Sequence, residues 1–153
     1  MDNAAHRPPA LGAIIGGLWI ASAGDLLYWI LFFTTGQVQS SHDPIYLGFE
    51  GSFPAADAWL GLAAILCAEG LRRRRSWGVF YGIAAGSAFI YLGLMDTLYN
   101  FEHGMYRQLS GEMLGEIVIN VVCFVFGPLL MWYVWRYRAW FEPRVARATA
   151  RSA

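Results

Sequence analysis

The sequence predicts an all-α integral membrane protein, a bundle of four transmembrane helices, and three observations carry that reading. Four apolar runs, at about 11–33, 54–71, 77–99 and 113–135, each approach the roughly 20 residues that a helix needs to cross a ~30 Å hydrocarbon layer. Hydrophobic residues make up 57% of the 153-residue chain and charged ones only 14%, a balance far from that of a domain folded in water. The runs lack the two-residue alternation of a barrel strand, and an isolated strand leaves its backbone groups unbonded in lipid, so helices are the element that fits.

The first run opens with Gly12 and Gly16 and continues through Gly17, Ala21 and Ser22 toward Asp25. Small residues let helix backbones approach closely in lipid, so this face is expected to touch a neighbour. Residues 21–24 (ASAG) resemble a small-x-small cleavage site, but the apolar run goes on through LLYWILFF, and a retained first helix is expected. Residues 34–53 carry Gly, Ser, Asp43-Pro44 and aromatics and read as a loop; with Tyr46, Phe49, Glu50 and Phe53 it is placed either over the mouth of a pocket as a lid or in the headgroup region.

The second run starts PAADAW, which sets Asp57 in its first turn. Glu69, at its far end, lies beside Arg72 and Arg73, where an interfacial ion pair accounts for it. The third run has Gly78, Gly82 and Gly86 at strict four-residue spacing. Steps of three and four continue that stripe through Phe89, Gly93, Asp96, Asn100 and His103, so Asp96 shares the packed face. On the fourth run Glu112, Glu116, Asn120, Cys123 and Gly127 make a similar stripe, and Pro128 is expected to bend the helix. Cys67 and Cys123 lie in apolar runs and read as small buried hydrophobes.

Arginines fix an orientation. Arg72 to Arg75 join the second and third runs, and Arg136, Arg138, Arg144, Arg147 and Arg151 follow the fourth, whereas Arg107 is alone on the other side. Both termini are therefore expected in the cytoplasm of a bacterium or archaeon, with residues 139–153 as a basic tail and Trp132, Tyr133, Trp135 and Tyr137 as an aromatic belt. A single domain spans the chain. The formal net charge is zero, so no global basic field recruits nucleic acid. Membrane lipid is the expected surrounding partner, and homo-oligomeric assembly is left open.

The candidate site is an acidic layer. Asp57, Asp96 and Glu116 are placed roughly 3 to 7 Å from the outer ends of their runs and Asp25 roughly 10 to 13 Å down, at ~1.5 Å rise per residue. A charge facing hydrocarbon costs at least about 2.5 kcal/mol, so four acids imply partners or a shared polar pocket. Carboxyls crowded at low dielectric cannot all be ionised, and at least one is expected to keep its proton at neutral pH. Asp25, Asp57, Asp96 and Glu116 are the candidate acids and bases. Asn100 and Asn120 are candidate orienting partners, and Tyr28, Trp29, Trp59 and Tyr91 candidate walls for a substrate.

A protonated carboxyl beside an ionised one suits acid-base chemistry on a lipophilic small molecule, of isomerase or cyclase type, without a cofactor. The alternative is a binding or transport protein for a cation, a proton or an amine-bearing ligand. The inner half of each run is Gly, Ala, Leu and Ile with no second polar layer except Glu69, which argues for a single-ended pocket rather than a through-path. Asp96, Asn100 and His103 with Glu116 opposite form a third, metal-binding reading, but no Glu-x-x-His pair is present, and no metal is expected.

Overall fold

The computed structural model describes residues 6–107 and 109–141. Among them the chain is helical throughout, with no strand: α1 (Leu11–Thr34), α2 (Pro44–Glu50), α3 (Pro54–Arg72), α4 (Trp77–Glu102), a 3-10 turn (Met105–Arg107), α5 (Gly111–Arg136) and α6 (Arg138–Phe141). Four helical stretches are long and apolar enough to cross a membrane: α1, α2 and α3 taken together, α4, and α5. The four apolar runs of the sequence fall within these four stretches, with α4 and α5 each reaching further toward their shared connection. Asp96 therefore lies roughly 9 Å inside the end of α4, at ~1.5 Å per residue, about a turn deeper than expected.

The segment 34–53 departs from expectation. Its second half is not loop but helix α2, started by the Asp43 carboxylate, which accepts from the Ile45 N–H at 2.7 Å, and by Pro44 in the first turn. Both are helix-start devices. A turn at 51–53 then leads into α3 at Pro54.

In space α1 packs on α3, α3 on α4 and α4 on α5, whereas α1 and α5 do not pack along their lengths. One end of the bundle, where α3 turns into α4, is close-packed. A methyl built at Gly70 would lie 2.4 Å from Gly78 Cα, and one built at Gly86 would lie 2.8 Å from Gly127 O. Leu18, Cys67, Leu71, Leu130 and Val134 fill the space between these crossings and are buried. The predicted stripe on α4 is thus in contact along its length: Gly78 meets α3, Gly82 meets Cys67 and Val134, and Gly86 and Gly93 meet α5.

The matching expectation for α1 holds only in part: Gly17 lies against Phe126 of α5 and Ser22 against α3. A methyl built at Gly12 or Gly16, however, meets nothing within 4 Å, because at that end α1 turns Leu11, Ile14 and Leu18 to its neighbours instead. Small residues permit close approach without requiring it. The Ser22 hydroxyl lies 2.9 Å from Leu18 O and 3.2 Å from Gly61 O, which draws α1 onto α3.

At the arginine end Glu69 accepts from Arg72 at 2.7 Å and also pairs with Arg73, as expected. Arg74 caps the turn in a left-handed conformation (φ 53), with its guanidinium 3.9 Å from the Trp140 ring centre. Of the four belt aromatics, Trp132 and Trp135 face outward, but Tyr133 is buried and donates to Pro9 O at 2.9 Å, tying the start of α1 to the end of α5. Cys67 and Cys123 are free and buried, and α5 passes Pro128 without a break. Most of the basic tail, with Arg144, Arg147 and Arg151, lies outside the described residues.

Candidate functional site

The other end of the bundle holds a cavity of about 280 Å³ with walls from α1 to α5. Three carboxyls reach it because helical periodicity continues the packed faces: Asp57 follows Phe53, Asp96 follows Gly93, and Glu116 follows Met113 on the buried side of its helix. Asp25 joins them from α1. Its Oδ2 lies where a methyl on Gly61 would come within 3.0 Å, so the glycine makes room for the carboxylate at the α1–α3 crossing. All four acids named from the sequence line this one cavity.

A fifth carboxyl, Glu50, lines it too. It comes from α2, the helix that sequence reading took for loop, and it is buried together with Tyr46. The signal was present: Tyr46 and Glu50 are four apart after an Asp-Pro helix start, which places both on one face.

The acids differ in their hydrogen bonding. Glu116 accepts from Asn100 Nδ2 and, at 2.6 Å, from Ser40 Oγ. Asp57 accepts from Trp29 Nε1 at 3.0 Å, and Glu50 from the Tyr28 hydroxyl at 3.2 Å. Asp96, only 9% exposed, has no hydrogen-bond donor among the described residues. Donors converging on a carboxylate favour its charged, accepting form, whereas a buried carboxyl without a donor is free to give its own proton.

The remaining candidates divide. Tyr28 lines the cavity; Trp29 fixes Asp57, and Asn100 fixes Glu116. Asn120 is 4% exposed, and neither of its amide atoms has a partner among the described residues, a cost of about 1–3 kcal/mol that packing elsewhere must offset. Trp59 and Tyr91 do not line the chamber. They project outward, 48% and 58% exposed, beside a groove between α3 and α4 that shares Phe53, Asp57, Leu60 and Leu92 with the chamber wall.

The Asp96–Asn100–His103 alignment does not make a metal centre. Asn100 is engaged with Glu116, His103 stacks on Tyr99 with ring centres 4.0 Å apart, and no group of three His, Cys, Asp or Glu is disposed to hold an ion among the described residues.

Contacts around α2 and a floor complete the chamber. Beside the Glu50 wall, Phe49 of α2 stacks on Tyr99 of α4 at 3.9 Å and 9°, and Ser40 N–H donates to the Tyr46 hydroxyl at 3.2 Å. Below, the cavity is walled by Leu60, Phe89, Leu92 and Cys123. Among the described residues no basic side chain lines it. No family model, no curated protein and no solved structure matches this chain.

Proposed function

We propose that the protein is a membrane-embedded acid-base catalyst, of isomerase or cyclase type, acting on a lipophilic small molecule. The observation that supports this reading most is the unequal treatment of five carboxyls around one largely apolar cavity. Asp96 supplies the acid. Glu116 and Asp57, held by Asn100, Ser40 and Trp29, supply acceptors.

In an isomerisation Asp96 protonates one carbon of a double bond, and an accepting carboxylate removes a proton from the carbon beyond. One C–H bond forms, another breaks and the double bond moves. No oxidant or reductant is consumed, and a proton passed between carboxyls on the same cavity restores the starting state. Positioned proton transfer of this kind accelerates reactions about 10²- to 10⁴-fold, and apolar walls keep water from the cationic intermediate.

The same acids would also receive a proton or an amine, which supports single-ended binding as the second reading. A through-path has less support: the buried polar side chains Ser22, Glu50, Asp57, Asp96, Asn100, Glu116 and Asn120 all lie toward the acidic end. In the orientation set by the arginines, both termini are cytoplasmic and the chamber sits in the outer leaflet of a bacterial or archaeal membrane.

The test uses heavy water and works without a chosen substrate. Purified protein in vesicles of native neutral lipid is incubated in D2O, and the lipids are surveyed by mass spectrometry. The expected result is one lipid class that gains deuterium with the wild type and not with Asp96→Asn. Absence of labelling together with proton or amine flux would replace catalysis by transport.

A further inference from the structure

The cavity is not sealed on all sides. On the α3–α4 side Phe53, Leu60 and Phe89 are each under a tenth exposed, and Phe53, Asp57, Leu60 and Leu92 stand between the chamber and the groove outside. On the other side, Gly24 of α1 and Val118, Ile119 and Val122 of α5 line the chamber and at the same time face outward. This follows from the order of packing, since α1 and α5 do not pack along their lengths. They meet below, where Phe126 lies against Gly17 at the distance of a contact, and they are bridged above by Ser40 on Glu116. Between these points is a slot rimmed by apolar side chains and one glycine.

We infer that this slot is the entry for substrate, and that the substrate is an uncharged single-chain lipid whose reacting end takes up a proton among the carboxyls while its tail extends sideways into the bilayer. The inference rests on the catalytic reading of the same chamber and adds a route and a chemical class to it. Three features argue for it. A cavity of about 280 Å³ holds only the reacting end of a membrane lipid, so the rest of the chain needs an apolar exit, and the slot supplies one at hydrocarbon depth. Five carboxyls with no basic residue on the wall among the described residues repel phosphate and carboxylate heads, which disfavours anionic lipids. Asp96, nine-tenths buried and without a donor among the described residues, faces the cavity from α4 and offers its proton to what enters.

A long-chain tertiary amine is the stable mimic of such a lipid after protonation. The probe is N,N-dimethyltetradecylamine carrying a photoreactive diazirine halfway along its tail, added to the full chain in lipid nanodiscs and cross-linked by light. Peptide mapping is expected to find the label on α1 around Gly24 and on α5 around Val118, Ile119 and Val122. Unlabelled N,N-dimethyltetradecylamine is expected to suppress labelling at least tenfold, and tetradecyl phosphate not to suppress it.

Gly24→Leu, at a position where an added Cβ meets nothing within 4 Å, is expected to lower labelling at least fivefold without loss of folded protein. Label in the α3–α4 groove by Trp59 and Tyr91, or spread evenly over the lipid-facing surface, would overturn the route. Equal suppression by the phosphate would overturn the assigned class. Labelling at the slot without deuterium uptake by any lipid sinks the catalytic reading and leaves the route standing, whereas deuterium uptake with the label elsewhere does the reverse.

Discussion

The two ends of this bundle are built from the same helices on opposite plans. At the arginine end glycines bring backbones into contact, Gly70 on Gly78 and Gly86 near Gly127, and fully buried Leu71, Leu130 and Val134 fill what remains. At the acidic end α4 and α5 present Asp96, Asn100, Glu116 and Asn120 to each other instead, and a cavity takes the place of interlocked side chains. Helix association in lipid comes from close packing, with interhelical hydrogen bonds adding modestly. The arginine end therefore holds the fold together, and the acidic end can carry carboxyls and an unpartnered amide because the fold does not depend on it.

The largest expected effect comes from breaking the tight end. At Gly78 an added Cβ would sit 2.7 Å from Gly70 C and from Leu71 N, backbone atoms that cannot move aside. Gly78→Leu is expected to lower the thermal midpoint in detergent by ~10 °C or more, since overpacking by a large side chain costs about 1–3 kcal/mol even where neighbours can adjust. Gly16→Leu, on an equally regular glycine pair but with nothing within 4 Å, is expected to shift it by no more than ~2 °C. Equal shifts in the two variants, read by the same melting curve, would mean that packing density does not divide the molecule as described.

That pair of glycines also shows how far the sequence could be read. A four-residue glycine spacing marks a face that a neighbour can approach; whether one does depends on the order in which helices pack, which no local pattern records. The four spans, and the inward direction of Asp57, Asp96 and Glu116, were legible because hydropathy and a 3.6-residue period determine them directly. Glu50 was missed although Asp43-Pro44 and the four-residue spacing from Tyr46 marked its face, because a seven-residue helix repeats that spacing only once.

Trp59 and Tyr91 failed as walls for a reason that the sequence did contain. At about 100° per residue Trp59 points some 160° away from Asp57, and Tyr91 about 140° away from Asp96. Tyr28 and Trp29 fall within roughly 60° of Asp25, and both reach the acids, Tyr28 through Glu50 and Trp29 through Asp57.

The next effect bears on activity with the fold intact. Asp96→Asn keeps shape and removes the acidic proton, and it is expected to slow deuterium uptake by lipid about 10²- to 10⁴-fold while leaving the melting curve in place. A variant that instead fails to fold would make Asp96 part of the packing and erase the contrast between the ends. Glu116→Gln serves as the companion measurement. It is expected to slow uptake as well and, because Ser40 and Asn100 both donate to Glu116, to loosen the connector over the chamber.

A smaller effect is expected from that connector alone. Ser40→Ala removes one donor from Glu116 across the gap between α1 and α5, and hydrogen bonds to charged groups contribute about 1.5–3 kcal/mol where they are shielded. Ser40 is half-buried, so a three- to tenfold slowing of deuterium uptake is expected, together with faster amide hydrogen exchange in residues 37–41. Unchanged exchange there would show that the stack of Phe49 on Tyr99 holds the connector without help from Ser40.

The smallest effect is the one that tests the side from which the chamber is reached. Trp59 and Tyr91 flank a groove between α3 and α4, and buried Phe53 and Leu60 stand between that groove and the chamber. Trp59→Leu and Tyr91→Leu change surfaces turned toward lipid, where one apolar side chain replaces another with little loss of packing. Asp57 lines the same groove, but neither substitution alters a carboxyl or the slot between α1 and α5. Deuterium uptake is expected to stay within twofold of the wild type in both, whereas Gly24→Leu, which is expected to cut labelling at the slot at least fivefold, should slow uptake as well. A reversal of that order, with Trp59→Leu slowing uptake and Gly24→Leu leaving it alone, would move the entrance to the α3–α4 side and require Phe53 and Leu60 to swing apart as the substrate enters.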